Sequence, residues 1–331
     1  MNSELVSIVM ATYNGEKFLR KQLDSILGQT YQNFELIVVD DASTDNTLSI
    51  LNEYAALYDR IHVFPAEKNL GLVSNFERGL RLAKGEYIAL SDQDDIFRRD
   101  KIELLLATLK DHPGRDLVLS DLSLIDENDA EFATSLWRYQ KLKPQQGKPF
   151  RRLIYLNFAT GCAMMFRRRL LQIALPFPQA CLVHDWWLAV VSASSKAGGI
   201  YLVSEQLTAY RKHSSNVLGA IEVNSNALKL RAIIDRIKSP SGGIPIFDKR
   251  MIEIKLSIAR LDGYLRKEFW SRDERLMIEK LKDTFEGYLT DTHSSLLSRV
   301  IKLPQRVRFA VTIRSLTHFV WAIFSTIWPY K

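Results

Sequence analysis

Residues 34–41 read Phe-Glu-Leu-Ile-Val-Val-Asp-Asp, an apolar run rich in β-branched residues that stops abruptly at two carboxylates. Such a run has the length and composition of a strand buried on both faces, which is how strands of a parallel sheet read. The chain around it repeats the pattern. Leu5–Thr12 is a first strand, and Glu16–Leu27 then sets Phe18, Leu19, Leu23, Ile26 and Leu27 at helical spacing. Thr44–Tyr58 follows Asp41 as a helix, Arg60–Pro65 as a strand, Leu72–Ala83 as a helix, Glu86–Ser91 as a strand, Asp100–Leu109 as a helix and Asp116–Leu122 as a further strand. Strand and helix in alternation predict right-handed crossovers and an α/β fold whose central sheet is mostly parallel.

In sheets of this kind ligands bind beyond the carboxyl ends of the strands. Three polar clusters fall there: Thr12-Tyr13-Asn14, Asp40-Asp41 and Asp92-Gln93-Asp94-Asp95. Three carboxylates within four residues repel one another, and a divalent cation such as Mg²⁺ or Mn²⁺, which prefers oxygen ligands, removes that repulsion. Alternatively the segment is a solvated acidic turn in which Asp95 caps the next helix. Asp45 reads as the cap of the helix after Asp41. Asp40 and Asp41 face the expected crevice, where a carboxylate suits ribose hydroxyls or the N–H of a pyrimidine; for Asp40, capping of its own loop is the alternative.

The exclusions are equally definite. The first strand is followed by Ala11-Thr12-Tyr13-Asn14-Gly15, with one glycine where a dinucleotide fold needs three, and no G-x-x-x-x-G-K-[ST] occurs. Of 331 residues, 47% are hydrophobic and 25% charged, too apolar for disorder. Two cysteines, Cys162 and Cys181, exclude a disulfide scaffold or a four-cysteine zinc site. With no basic leader before the first apolar run, the chain is expected to stay in the reducing cytoplasm. The net charge of +7 comes largely from the end: after Asp291 there are six basic groups and no acid, leaving 39 basic against 38 acidic residues before it. That distribution does not resemble a nucleic-acid-binding face.

Val6–Gly15 (VSIVMATYNG), Glu35–Thr47 (ELIVVDDASTDNT), Asn69–Leu72 (NLGL) and Ser91–Phe97 (SDQDDIF) together resemble the family 2 glycosyltransferases, inverting enzymes of the GT-A fold. The resemblance is continuous over about residues 5–110 and patchy over 150–220. It implies a GT-A domain over 1–220, with a nucleotide-sugar half (1–110) and an acceptor half (111–220); beyond it, where the resemblance ends, the residue pattern reads as a helical region over 221–331. It implies that Thr12, Tyr13, Asn14, Asp40, Asp41, Asn69 and Gln93 surround the nucleotide. Asp92 and Asp94 become the D-x-D pair, with Asp94 the more direct metal ligand. The S-D-Q-D-D form followed by an aromatic is similar to bacterial rhamnosyltransferases using dTDP-rhamnose, on a scaffold that UDP-hexose enzymes share.

Downstream, the resemblance places a catalytic carboxylate in His184-Asp185-Trp186-Trp187. Asp185 is the expected general base, or else a helix cap with the tryptophans in the core. Trp186 or Trp187 would pack on an acceptor sugar, beside His184. Thr160-Gly161 resembles the T-G-x segment on the acceptor side, or is a tight turn before a strand. In the polar loop after Tyr210, Arg211 matches a phosphate contact and His213 a metal ligand. Strands are expected over 161–166 and 199–203, and helices over 224–238, 247–270 and 272–289, with a break at 239–243. Beyond Pro304, Trp321 and Trp328 in a basic, apolar tail predict an interfacial helix at the inner face of the plasma membrane, or a helix packed against protein. The acceptor is then a lipid-linked bacterial surface polysaccharide. A nucleotidyltransferase is the competing enzyme class, but lacks its glycine-rich phosphate loop here; a non-catalytic sugar-nucleotide-binding protein would have lost the D-x-D pair or the base.

Overall fold

The computed structural model describes residues 4–154, 156–179, 181–213 and 257–290. Two compact units are formed, one by Met1–Leu153 with Asn157–Glu222, the other by Ile154–Leu156 with Val223–Lys331. The expected helix over 224–238, the start of that over 247–270 and the tail beyond Pro304 lie outside the described residues.

The first unit begins as a doubly wound sheet: β1 (Val6–Thr12), α1 (Glu16–Leu27), β2 (Phe34–Asp40), α2 (Thr47–Leu57), β3 (Ile61–Pro65), α3 (Leu72–Leu82), β4 (Tyr87–Ser91). Next come β5 (Ile96–Phe97), α4 (Lys101–Asp111), β6 (Leu117–Ile125), β7 (Glu131–Ala133), α5 (Leu136–Tyr139) and α6 (Phe150–Leu153). Last are β8 (Met164–Arg167), α7 (Leu171–Ala174), α8 (His184–Ser192) and β9 (Ile200–Arg211). The strand order is β3-β2-β1-β4-β8-β6-β9-β5, with β7 on β6. β3, β2, β1 and β4 are parallel, as are β6 and β9.

Every residue of β1 and β2 is buried, as a sheet covered on both faces requires. The polar residues in these runs are paired: Ser7 Oγ donates to Glu35 Oε1 (2.6 Å), which also accepts from Lys84 N (2.8 Å). On one face Ile8, Met10, Leu36 and Val38 pack with Leu19, Leu23 and Leu51 from α1 and α2. On the other, α3 lies so close that a Cβ on Gly79 would stand 2.6 Å from Val9 Cγ1, so only glycine fits.

The parallel sheet expected from the alternation is interrupted by β8 in its middle, and the short β5 and β7 run antiparallel to β9 and β6. β8 runs antiparallel to both β4 and β6. The strand expected over 161–166 starts only at Met164, because Gly161–Ala163 forms a tight helical turn closed by Ala163 N donating to Thr160 O. β9 is much longer than the expected 199–203. It pairs with β6 as far as Ile125–Arg211, with register shifts near Asp121. This pairing carries Arg211 to the edge where β1, β2 and β4 end. In the second unit a helical stretch over 257–265 precedes α9 (Arg272–Thr290). Among the described residues no helix is long and apolar enough to cross a membrane.

Candidate functional site

The nucleotide side forms at the ends of β1 and β2. Thr12 is buried and its hydroxyl donates to Asp40 Oδ1 (2.9 Å). Asp40 also accepts from Ser43 N (2.9 Å) and Ser43 Oγ (2.6 Å). The capping alternative thus describes Asp40: both of its oxygens are turned into its own loop. Asp41 accepts from Leu70 N (2.7 Å) and Gly71 N (2.9 Å), and its carbonyl accepts from Asn69 Nδ2 (3.3 Å). Asp41 and Asn69, apart in sequence, therefore build one corner, closed by Gly71 at φ 83°. Asn14 ties in the other side: its N donates to Ser43 Oγ and its Oδ1 accepts from Thr44 N. Asp45 accepts from Thr47 N and Glu16 N, so it serves the starts of two helices. Tyr13 is left 48% exposed at the mouth.

Gln93 joins this corner to the acidic segment. It accepts from Tyr13 N (2.8 Å) through Oε1 and donates to Tyr13 O (3.1 Å) through Nε2. Its side chain passes over Gly15, where a Cβ would meet Oε1 at 2.3 Å, so any larger residue here displaces the Gln93 amide from Tyr13. Asp94 pairs with His213 Nε2 at 2.8 Å. Asp95 is buried and accepts from Arg211 N (3.0 Å) rather than capping α4.

Arg211 is placed otherwise than a phosphate contact would be. It is fully buried, donates to Asp94 O (2.7 Å) and Asp126 O (2.9 Å), pairs with Asp129, and lies 4.6 Å from the Phe18 ring centroid. Its fork holds the acidic segment against β6 and α1. Lys101, which the sequence pattern assigned only to a helix, lies buried beneath the same segment. Its amine donates to Cys162 O and Thr208 Oγ1 and sits 3.2 Å from the Phe97 ring centroid. Burial pushes that amine down to about 7.

The acids are crowded. Burial, then the charges of Asp95, Asp94 and Asp185, push the Asp92 carboxyl well above its ordinary value. Burial and then Asp94 push Asp95 up to about 7. A divalent cation would relieve this repulsion, and Asp92 and Asp94, with His213 beside Asp94, offer donors that Mg²⁺ or Mn²⁺ accepts. Ligating atoms of Asp92, Asp95 and Cys162 also lie within 4.8 Å of one another. That trio suits a hard cation less, because burial pushes the Cys162 thiol up and keeps it protonated.

Asp185 stands in the first turn of α8, close enough for its charge to act on Asp92. Its oxygens accept from Gly161 N (2.9 Å) and Trp186 N. Burial pushes its carboxyl up to about 6, within the range of a general base at neutral pH. Thr160, half-buried, precedes Gly161 in the same turn. The neighbouring aromatics divide. Trp187 is fully buried and donates to Ala174 O (2.9 Å); His184 stacks on Phe76 with centroids 3.7 Å apart, and burial lowers its pKa to about 3. Both are core residues. Trp186 is half-buried and donates to Leu153 O (2.6 Å).

This edge holds the corner built by Asp41 and Asn69, an acidic segment and a carboxylate raised into the working range of a base, on a mixed sheet. Those are the parts of a GT-A sugar transferase. The family model described as "Glycosyl transferase family 2" matches residues 7–173. An uncharacterized glycosyltransferase of Haemophilus influenzae is 30% identical over 240 residues, covering 70% of this chain and 73% of its own. Several other curated relatives are matched over less than half their length. Among solved structures, S. aureus TarS 1–349 in complex with UDP-GlcNAc superposes with a TM-score of 0.57 at 17% identity, covering 97% of this chain and 89% of that one. Mannosyltransferase PcManGT from Pyrobaculum calidifontis, in complex with GDP-Man and Mn²⁺, gives 0.56 at 15% identity, covering 98% and 88%. The chain belongs to glycosyltransferase family 2 and has the GT-A fold; it is a glycosyltransferase acting on nucleotide sugars.

Proposed function

We propose that the chain transfers rhamnose from dTDP-rhamnose, with inversion, to a growing lipid-linked surface polysaccharide at the inner face of the plasma membrane. The observation that supports a transfer reaction at this edge is that Asp185, from a distant part of the chain, is a carboxylate raised by burial whose charge acts on Asp92 of the acidic segment. Tyr13, Asp41 and Asn69 bound the nucleoside. Asp185, held by Gly161 N and Trp186 N, takes the proton from the acceptor hydroxyl as that oxygen attacks C1. The C1–O bond to the diphosphate breaks on the opposite face, which inverts the anomeric centre. Asp92 and Asp94, with His213, would hold Mg²⁺ or Mn²⁺, which when bound neutralises charge on the leaving diphosphate. Thr160, Gly161 and Trp186 border the acceptor.

The rhamnose donor rests on the Ser91–Phe97 segment. The second reading is a UDP-hexose donor, supported by the likeness to a structure holding UDP-GlcNAc. A hydrolysis screen of dTDP-rhamnose, UDP-glucose, UDP-galactose and UDP-GlcNAc, with and without Mn²⁺, separates the two. Release of dTDP alone supports the first; release of UDP alone replaces it with the second.

A further inference from the structure

From Phe132 to His184 the chain contains nine lysines and arginines and no aspartate or glutamate. Three of the nine, Arg167–Arg169, belong to β8 and the turn after it, where Arg167 donates to Leu109 O and Arg169 pairs with Asp116. The other six, Arg138, Lys141, Lys143, Lys148, Arg151 and Arg152, fall within 138–152, and all but half-buried Arg152 are exposed. Among the described residues, Arg138, Lys141, Lys143, Lys148 and Arg152 have no carboxylate within 4.0 Å. Some exposed cations elsewhere are matched, Lys17 with Glu127, Arg20 with Glu53 and Lys110 with Glu4. Others, Lys68, Lys84, Arg99, Arg168 and Lys196, are scattered singly or next to one another without an ion pair among the described residues, so it is the run of six within 15 positions that sets 138–152 apart. Of the acids on neighbouring strands, Glu205 is taken by Arg98, and Glu131 stands alone on β7.

The path of this segment begins and ends at the site. Tyr139 accepts from Lys212 Nζ (3.5 Å), next to the His213 that pairs with Asp94. The segment then runs to the far end of β9, where Gly147 pairs with Ile200 and Lys148 Nζ donates to Ser195 O (3.2 Å). It returns through α6 to Leu153, whose carbonyl accepts from Trp186 beside Asp185. β9 has 12 residues, so the flank is about 35–40 Å long at ~3.3 Å per residue. The exposed large apolar side chains of the described residues all lie outside 138–152, so nothing in this stretch would insert into lipid.

We propose that this flank is the track for a polyanionic acceptor, a glycan chain bearing phosphate or carboxylate groups whose end is presented to Asp185. The proposal rests on the glycosyltransferase reading of the site and adds the charge class of its acceptor. Uncompensated cations in a row raise the local concentration of such a chain, and several contacts along it add.

The test compares two full-length quadruple variants. R138Q/K141Q/K143Q/K148Q removes the four exposed cations of the flank that have no carboxylate partner, whereas K17Q/R20Q/R81Q/K110Q removes equally many exposed, acid-paired cations elsewhere. Binding of labelled polyphosphate, polygalacturonate and neutral dextran is read by fluorescence anisotropy from 50 to 300 mM NaCl. The first variant is expected to lose at least about tenfold in affinity for both polyanions, with a shallower salt dependence, and the second no more than about twofold. Dextran binds neither. Equal losses in the two variants overturn the proposal, as does a flank variant that loses binding to vesicles of 70% phosphatidylcholine and 30% phosphatidylglycerol but not to the polymers. Binding of dTDP and UDP, measured on the same preparations, should be unchanged in both variants. A wild type that binds neither nucleotide refutes the site reading while the polymer comparison stays interpretable.

Discussion

Replacing Asp185 by Asn separates chemistry from binding at almost constant stability. A positioned general base contributes about 10²–10⁴ in rate, so turnover should fall by at least about a hundredfold, near 2.7 kcal/mol of barrier. Two opposing terms decide the stability. The carboxyl is raised from 3.8 to about 6 by burial, so the native state holds its proton more tightly than the unfolded chain does. The contribution to stability is full below 3.8 and lost as the pH rises through about 6, leaving a penalty of about 3 kcal/mol at pH 8. Asparagine removes that penalty. It also turns an amide NH₂ toward either Gly161 N–H or Trp186 N–H, where only an acceptor is satisfied, at about 1–3 kcal/mol. The terms nearly cancel, so the melting temperature should stay within a few degrees. The assay pairs sugar transfer with titration of the nucleoside diphosphate, whose Kd should change less than about twofold. A variant that keeps more than a tenth of wild-type turnover, or that loses nucleotide affinity in parallel with turnover, refutes the assignment.

Because the base must be ionised, kcat/KM should rise with slope one through about pH 6 and then level; a plateau reaching pH 4.5 would remove Asp185 from the role. Asp94→Ala should lower Mn²⁺-supported turnover at least about a hundredfold and leave a residue of activity insensitive to EDTA; an EDTA response like that of the wild type counts against the metal assignment. Gly15→Ala drives a methyl into Gln93 and breaks its two bonds to Tyr13, so the KM for the sugar nucleotide should rise about tenfold with kcat little changed. An unchanged KM would mean that the link between Tyr13 and the acidic segment has no part in donor binding.

The sequence alone determined the doubly wound half of the fold and the edge at which the polar clusters meet. Both follow from local information. Continuous apolar runs such as Phe34–Val39 specify strands buried on two faces, helical spacing specifies what lies between, and right-handed crossovers bring every strand end to one side. The acidic segment was legible because repulsion among neighbouring carboxylates is itself a local property. Tertiary structure alone decided which polar atom meets which. Asp40 turns to Ser43, Arg211 to Asp94 O and Asp126 O, and Lys101 to Cys162 and Thr208; no periodicity encodes partners that far apart. It also decided the length of β9 and the reversed direction of β8, because hydrogen bonding to β6 and β4 overrode mixed patterns such as Ser204–Arg211. His184 and Trp187 went to the core beside Asp185 for the same reason: a helix has an inner face, and only the packed neighbours Phe76 and Ala174 settle which side chains occupy it.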